Sequence, residues 1–204
     1  MFLWPVALIG LILAAVTRRP LSYLLVRRFR WIGLLLMGIG LQLLMVLAAS
    51  GPFLSTPTLP GFPQAGGVLY ITSLGLLLVF AWLNRRGLGI AVMGVGLLMN
   101  AVVIAANGGQ MPVDPGQMAA QGSLDKMVAE ESAGTWTAHA QIGPATRLAF
   151  LGDSVLLRAP QPLTRSVIVS PGDLVIAAGI LLFLMVIPEA KAASSKSAGG
   201  LASP

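Results

Sequence analysis

The chain has no cysteine, a single histidine (His139), and formal charge on only 10% of its 204 residues. Without cysteine there is no disulfide, no thiol nucleophile and no thiolate metal site. A soluble domain carries charge on about 25% of its residues, so this scarcity argues against an ordinary water-facing surface. Where charge is missing says more. Lys, Arg and His are absent from five apolar runs, residues 2–16, 31–49, 67–83, 88–106 and 167–187, and Asp173 is the only acid in any of them.

The hydrocarbon core of a bilayer is about 30 Å thick and takes roughly 20 helical residues to cross. The runs are about that long, and they are apolar all round, whereas a surface helix of a soluble protein is apolar on one face. The expected fold class is an all-α membrane protein. It is a five-span transmembrane helix bundle over residues 1–188, with a cap segment, 107–166, outside the membrane between spans four and five. Residues 189–204 are rich in Ala, Ser and Gly with no apolar periodicity, and read as a disordered tail.

The net charge of +6 is unevenly distributed. If each run spans once, Arg18, Arg19, Arg27, Arg28, Arg30, Arg85, Arg86, Lys191 and Lys196 share one side with the single acid Glu189. The other side has Lys126, Arg147, Arg158 and Arg165 against Asp114, Asp125, Glu130, Glu131, Asp153 and Asp173. The positive-inside rule then places the N-terminus outside and the C-terminus in the cytoplasm. The arginines flank spans and form no separate basic module. They read as topology determinants at lipid headgroups, which makes membrane lipids the expected partner and excludes nucleic acid. A cleaved signal peptide carries its positive charges ahead of the apolar stretch, whereas here Arg18 and Arg19 follow it.

Local signals divide the chain further. Pro5 lies near the start of the first run, and Gly10 with Ala14 permits close helix approach. Residues 21–30 read as a short interfacial segment with its arginines toward the headgroups, and Trp31 opens the second span. Residues 50–65 hold four prolines and read as a loop. The hinge Asn84-Arg85-Arg86-Gly87 is so short that spans three and four must form an antiparallel hairpin. Asn107-Gly108-Gly109 ends the fourth span. A short helix is expected over 124–132 with Ser123 as its cap, and the apolar stretch 148–157 is placed at the interface. Ser170-Pro171-Gly172-Asp173 has the composition of a helix start.

Few residues offer chemistry. Gln42 and Asn100 are amides in the middle of spans, where an unpaired amide is costly. Both lie at similar depth, so they are expected to bond to each other as glue between helices or to contact a ligand. Asp173 reads as a cap, although Asp153 follows Gly152 as Asp173 follows Gly172, and the two Gly-Asp pairs would suit paired carboxylates near the outer surface. His139 with Met111, Met118 and Met127 is too loosely spaced for a copper site. A triad of Ser132 or Ser154, His139 and Asp153 has no G-x-S-x-G elbow behind it, and Gly108-Gly109 matches no phosphate loop. The expectation is therefore no catalytic residue, no metal, no cofactor and no enzyme activity.

Several strings together resemble one family. They are Arg18-Arg19-Pro20-Leu21, Arg28-Phe29-Arg30-Trp31, Leu41-Gln42-Leu43, Met99-Asn100, Leu151-Gly152-Asp153 and Gly172-Asp173-Leu174. The most specific is Asn107-Gly108-Gly109-Gln110-Met111-Pro112-Val113. They are similar to the DUF5317 family of bacterial membrane proteins over nearly the whole chain, with departures at Pro20, at 55–63 and in the tail. The resemblance implies a multi-pass protein of the bacterial cytoplasmic membrane and brings no activity with it. It also implies that 107–113 and the two Gly-Asp turns at Asp153 and Asp173 form a distinctive outer surface.

The functional expectation is a non-catalytic accessory or scaffold subunit whose glycine-lined helices pack with one another or with other membrane protein subunits. The alternative is a carrier for a small amphipathic or lipid-like ligand, with Gln42 and Asn100 lining its site. A membrane enzyme using Asp153 and Asp173 is the third reading.

Overall fold

The computed structural model describes residues 29–50, 62–132, 137–158 and 166–185. The first run, the interfacial arginines Arg18, Arg19, Arg27 and Arg28, and the tail 189–204 lie outside the described residues.

The apolar runs become helices: α1 (Ile32–Ser50), α2 (Phe62–Leu83), α3 (Leu88–Ala106) and α6 (Pro171–Met185). Two of them hold stretches long and apolar enough to cross a membrane, Ala65–Leu83 and Leu88–Ala106, while Ile32–Met45 and Pro171–Met185 are shorter apolar helices. α2 starts earlier than expected, inside the proline-rich stretch read as loop. Pro63 is its second residue, where the missing N–H would have had no intrahelical partner anyway. The fifth run also needs correction. Val167–Val169 is a strand and the helix begins only at Pro171. A short apolar run suits strand and helix alike, and pairing decides between them.

The helices pair antiparallel. Asn84–Gly87 turns α2 back into α3, with Gly87 N donating to Asn84 O at 3.2 Å. α3 packs most extensively on α6, along a seam of glycines. A Cβ on Gly96 would fall 2.5 Å from Gly172 O, and one on Gly179 would fall 2.6 Å from Met93 N. The backbones therefore meet where side chains would otherwise hold them apart, as small residues permit in membrane helices. α1 packs on α2 through Gly38, which lies against Leu77 and Ser73. At the hinge end, Asn84 is tied to residue 30: Arg30 N donates to Asn84 Oδ1 at 2.9 Å and Asn84 Nδ2 donates to Arg30 O at 3.0 Å.

The segment between α3 and α6 is not purely helical, which corrects the all-α expectation to mostly helical. β1 (Met111–Val113) runs parallel to β2 (His139–Gln141), and β3 (Val155–Leu157) runs antiparallel to β4 (Val167–Val169). Between β1 and β2 lie α4 (Pro115–Gln121) and α5 (Leu124–Ser132). α5 matches its expected bounds, but the Ser123 hydroxyl turns to Gln121 Oε1 at 2.9 Å. α4 was not expected, although its signals stand in the sequence. Asp114 Oδ1 accepts from Gly116 N (2.7 Å) and Gln117 N (3.2 Å), Pro115 occupies the first turn, and Gly122 closes the helix at φ 78°. The stretch 148–157 resolves into a short 3-10 turn, Ala149–Leu151, and β3.

Two apolar clusters join these parts. Leu74, Val103, Ile104 and Met111 fasten α2 and α3 to β1. Val113, Met118 and Met127 form the core of the cap, with Leu124 and Ile168 against them.

Candidate functional site

Two polar centres stand out, each built on an aspartate that follows a glycine. The first lies in the α3–α6 seam. Gly172 presses against Asn100 so closely that any side chain there would overlap Asn100 Oδ1. Asn100 Nδ2 donates to Asp173 Oδ1 at 2.8 Å, and Asn100 Oδ1 accepts from Ser170 Oγ at 3.0 Å. Ser170 and Asp173 cap α6 reciprocally: Asp173 N donates to Ser170 Oγ (3.0 Å) and Ser170 N donates to Asp173 Oδ2 (3.2 Å). This is a capping box with Asp in the acidic position, and Asn100 locks it to the neighbouring helix. Ser170 is buried, as is Asn100.

The expected bond between Gln42 and Asn100 does not form. Gln42 Nε2 donates instead to Ser73 Oγ at 3.2 Å, and that hydroxyl donates to Tyr70 O at 2.7 Å. Equal depth in two helices does not make their faces meet. Each amide is partnered by a serine, Ser73 or Ser170. Ser73 carries no sequence signal of its own, because Thr72 beside it offers a hydroxyl to the same apolar helix and only the packing of the helices chooses between them.

The second centre is in the cap. Gly152 lies against Pro112, where a Cβ would come within 2.6 Å of the carbonyl oxygen. Asp153 N donates to Pro112 O (2.8 Å) and Asp114 N donates to Asp153 O (2.9 Å), so the turn is stitched to β1 by its backbone. The Asp153 side chain is 8% exposed. Its Oδ2 lies 3.4 Å from His139 Nε2. Its Oδ1 is buried and has no hydrogen-bond partner among the described residues. Burial pushes the Asp153 carboxyl above the ordinary carboxylate range, His139 opposes that rise, and the negative charge of Asp173 adds to it.

Asp153 and His139 both line a cavity of about 300 Å³. Val113, Met118, Met127, Val167 and Ile168 form its apolar wall. Gln121, Ser123, Lys126, Glu130 and Thr137 supply polar groups. Lys126 Nζ and Glu130 Oε1 face each other at 3.6 Å along α5.

The remaining expected site residues fall as follows. The string from Asn107 to Val113 is structural and largely internal, which corrects its placement on an outer surface. Asn107 Nδ2 donates to Val103 O (2.7 Å) and Arg147 O (2.8 Å), and its Oδ1 accepts from Arg147 N (2.9 Å). Gly108 and Gly109 have φ of 70° and 90°, and Gly109 touches the Gly67 backbone. Gln110 Nε2 donates to Thr137 O at 3.0 Å, and Met111, Pro112 and Val113 are buried. Met118, Met127 and His139 share the cavity, whereas Met111 packs in the other cluster. Among the described residues, no three His, Asp or Glu are grouped to hold a metal ion. His139 and Asp153 do meet, but the Ser132 hydroxyl donates to Val128 O at 2.7 Å and takes no part in a triad. Arg30, Arg85 and Arg86 are exposed, and the Arg85 guanidinium lies 3.9 Å from the Trp82 ring centroid.

These features define a mostly helical protein with, among the described residues, two helices long and apolar enough to cross a membrane and a mixed cap packed on one end of them. Residues 27–185 match the model of a family of unknown function, DUF5317, and the chain belongs to that family. No curated protein and no solved structure matches the chain.

Proposed function

We propose that this is a multi-pass protein of the bacterial cytoplasmic membrane, crossing it five times with its N-terminus outside, and that it acts as a non-catalytic accessory or scaffold subunit. The observation that carries the reading is the use made of the mid-span amides. Gln42 and Asn100 both bond to other helices of the chain, and the outward faces are apolar. Leu36, Leu43, Leu47, Val68, Val79 and Val95 are all at least half exposed. Lipid or another apolar helix suits such faces, and water does not.

The placement of charge supports the orientation. The Asn84–Arg30 bonds bring Arg30 beside Arg85 and Arg86 at one end of the helices, while Asp153, Asp114 and the rest of the cap follow from the other end of α3. Exposed Trp31 and Trp82 sit with those arginines, as aromatic residues do at a membrane surface. An apolar groove between α2 and α3, lined by Leu78, Val79, Val95 and Leu98, ends near Arg85 and would take an acyl chain. The carrier reading has less behind it, because the two amides meant to line its site are already engaged.

Native mass spectrometry of the protein drawn from its own membranes into lipid nanodiscs tests the role. A stoichiometric protein partner is expected. A lone protomer whose ligand uptake disappears with Gln42→Leu and Asn100→Leu would overturn the scaffold reading. The absence of native cysteine makes orientation simple to check, since a Ser22→Cys chain should be labelled only from the cytoplasmic side.

A further inference from the structure

Going beyond the scaffold reading, we propose that the cap cavity binds a small molecule carrying a primary ammonium group on an apolar body. Three observations converge on that chemistry. The cavity encloses about 300 Å³, at the lower end of the range for small-molecule sites. Its wall is apolar, with the flexible thioethers of Met118 and Met127 able to adapt to an aliphatic or aromatic body. One acidic side chain at that wall, Asp153, is more than nine-tenths buried and has a carboxylate oxygen with no donor. A buried acceptor left without a donor is costly; Oδ1 is closed off from the cavity, so a ligand N–H completes it once the carboxyl turns toward the cavity, a side-chain adjustment common on binding.

The neighbouring charges select the ligand further. Lys126 and Glu130 pair with each other, and His139 serves the other oxygen of Asp153. The unmet demand is therefore one negative, hydrogen-bond-accepting atom. An anion would be repelled by it. A neutral hydrocarbon would fill the apolar wall and leave Oδ1 as it is. A hard divalent cation takes six or more oxygen ligands, more than Asp153 and the already paired Glu130 offer. An ammonium meets the demand with a charge-assisted bond, while its body covers Val113, Met118 and Met127. Such a group belongs both to free amines and to the headgroup of an aminophospholipid.

The experiment uses the full chain in nanodiscs made of phosphatidylglycerol, with radiolabelled phenethylamine as probe and 2-phenylethanol as its uncharged competitor. Saturable binding of the amine is expected, with the alcohol competing at least about tenfold more weakly. Asp153→Asn keeps the shape of the side chain and should weaken the amine by about tenfold or more. Thr137→Trp, at a half-buried position on the cavity wall, should block both compounds. It decides the matter alone if the Asp153 variant does not fold. Loss of probe binding when phosphatidylethanolamine is added to the discs would identify the headgroup as the source, and unchanged binding would identify a free amine. Absence of saturable binding, equal competition by the alcohol, full affinity in Asp153→Asn, or full affinity in Thr137→Trp would each overturn the proposal.

Discussion

The two Gly-Asp pairs look alike in sequence and serve opposite ends. In both, the glycine lets the chain press on a neighbouring carbonyl or amide, Gly172 on Asn100 and Gly152 on Pro112. In the helical seam, Asp173 then has every demand met: Ser170 N on one oxygen and Asn100 Nδ2 on the other. In the cap, Asp153 has His139 on one oxygen and, among the described residues, nothing on the other. A polar group between apolar helices must be satisfied within the chain, because lipid offers no partner. A group beside a cavity outside the helices can be completed by something that enters. The closed centre reads as structure and the open one as a site.

The sharpest way to break this contrast is to damage the closed centre. Gly172→Ala puts a methyl group into Asn100 Oδ1 and close to Gly96 O. The overlap is with backbone and a locked amide, so relief requires α3 and α6 to separate. A loss of about 3 kcal/mol is expected, seen as a large drop in thermal midpoint in detergent. Gly152→Ala, against Pro112 O, should disturb the cap first and leave the seam intact. Next in size is Asn100→Leu. It strips the donor from Asp173 Oδ1 and the acceptor from Ser170 Oγ while α6 keeps its own cap, for a cost of roughly 1–2 kcal/mol. If Asn100→Leu proved neutral, the seam would be held by its glycines alone.

Much of the closed centre was legible beforehand, and little of the open one. Uniform apolarity marks α1 and α3 nearly to the residue and the end of α2, though not its start at Phe62, and Ser170-Pro171-Gly172-Asp173 states where α6 begins, because caps are written in local residue types. Which amide meets which partner was not legible. Depth along a helix follows from counting, but the direction a side chain faces depends on how the helices rotate against each other. Equal depth therefore points Gln42 at Asn100, whereas Ser73 and Ser170 hold them. The cap was harder still. Val167–Val169 has no alternation to separate strand from helix, and its partner Val155–Leu157 is ten residues away in sequence. The meeting of Asp153 with His139 rests on the parallel pairing of β1 with β2, a contact that no local pattern announces.

A smaller effect, dependent on pH, belongs to Asp153. Because folding raises the Asp153 carboxyl above its ordinary range, the folded chain holds a proton that the unfolded chain has already released. Stability from this group is present at acid pH and is lost as pH rises from the ordinary carboxylate range through the higher folded value. Asp153→Asn removes that dependence, so its thermal midpoint should fall less than that of the unsubstituted chain between acid and neutral pH. His139→Gln removes the group that opposes the rise and should extend the loss to higher pH. Identical pH profiles for all three chains would mean that the carboxyl is not held above its usual range.

The least effect is expected at Gln42, and its smallness is informative. Gln42 is half-buried and, among the described residues, makes one 3.2 Å bond, to Ser73 Oγ, and that hydroxyl keeps its own 2.7 Å bond to Tyr70 O when the amide is gone. Gln42→Leu therefore strands no buried atom. It should cost about 0.6 kcal/mol, the typical value for a hydrogen bond between membrane helices, measured as the difference in thermal midpoint in the same detergent as Asn100→Leu. A cost matching that of Asn100→Leu would mean that Gln42 satisfies a group beyond Ser73. The α1–α2 pair would then be a second closed centre rather than a lightly fastened edge of the bundle.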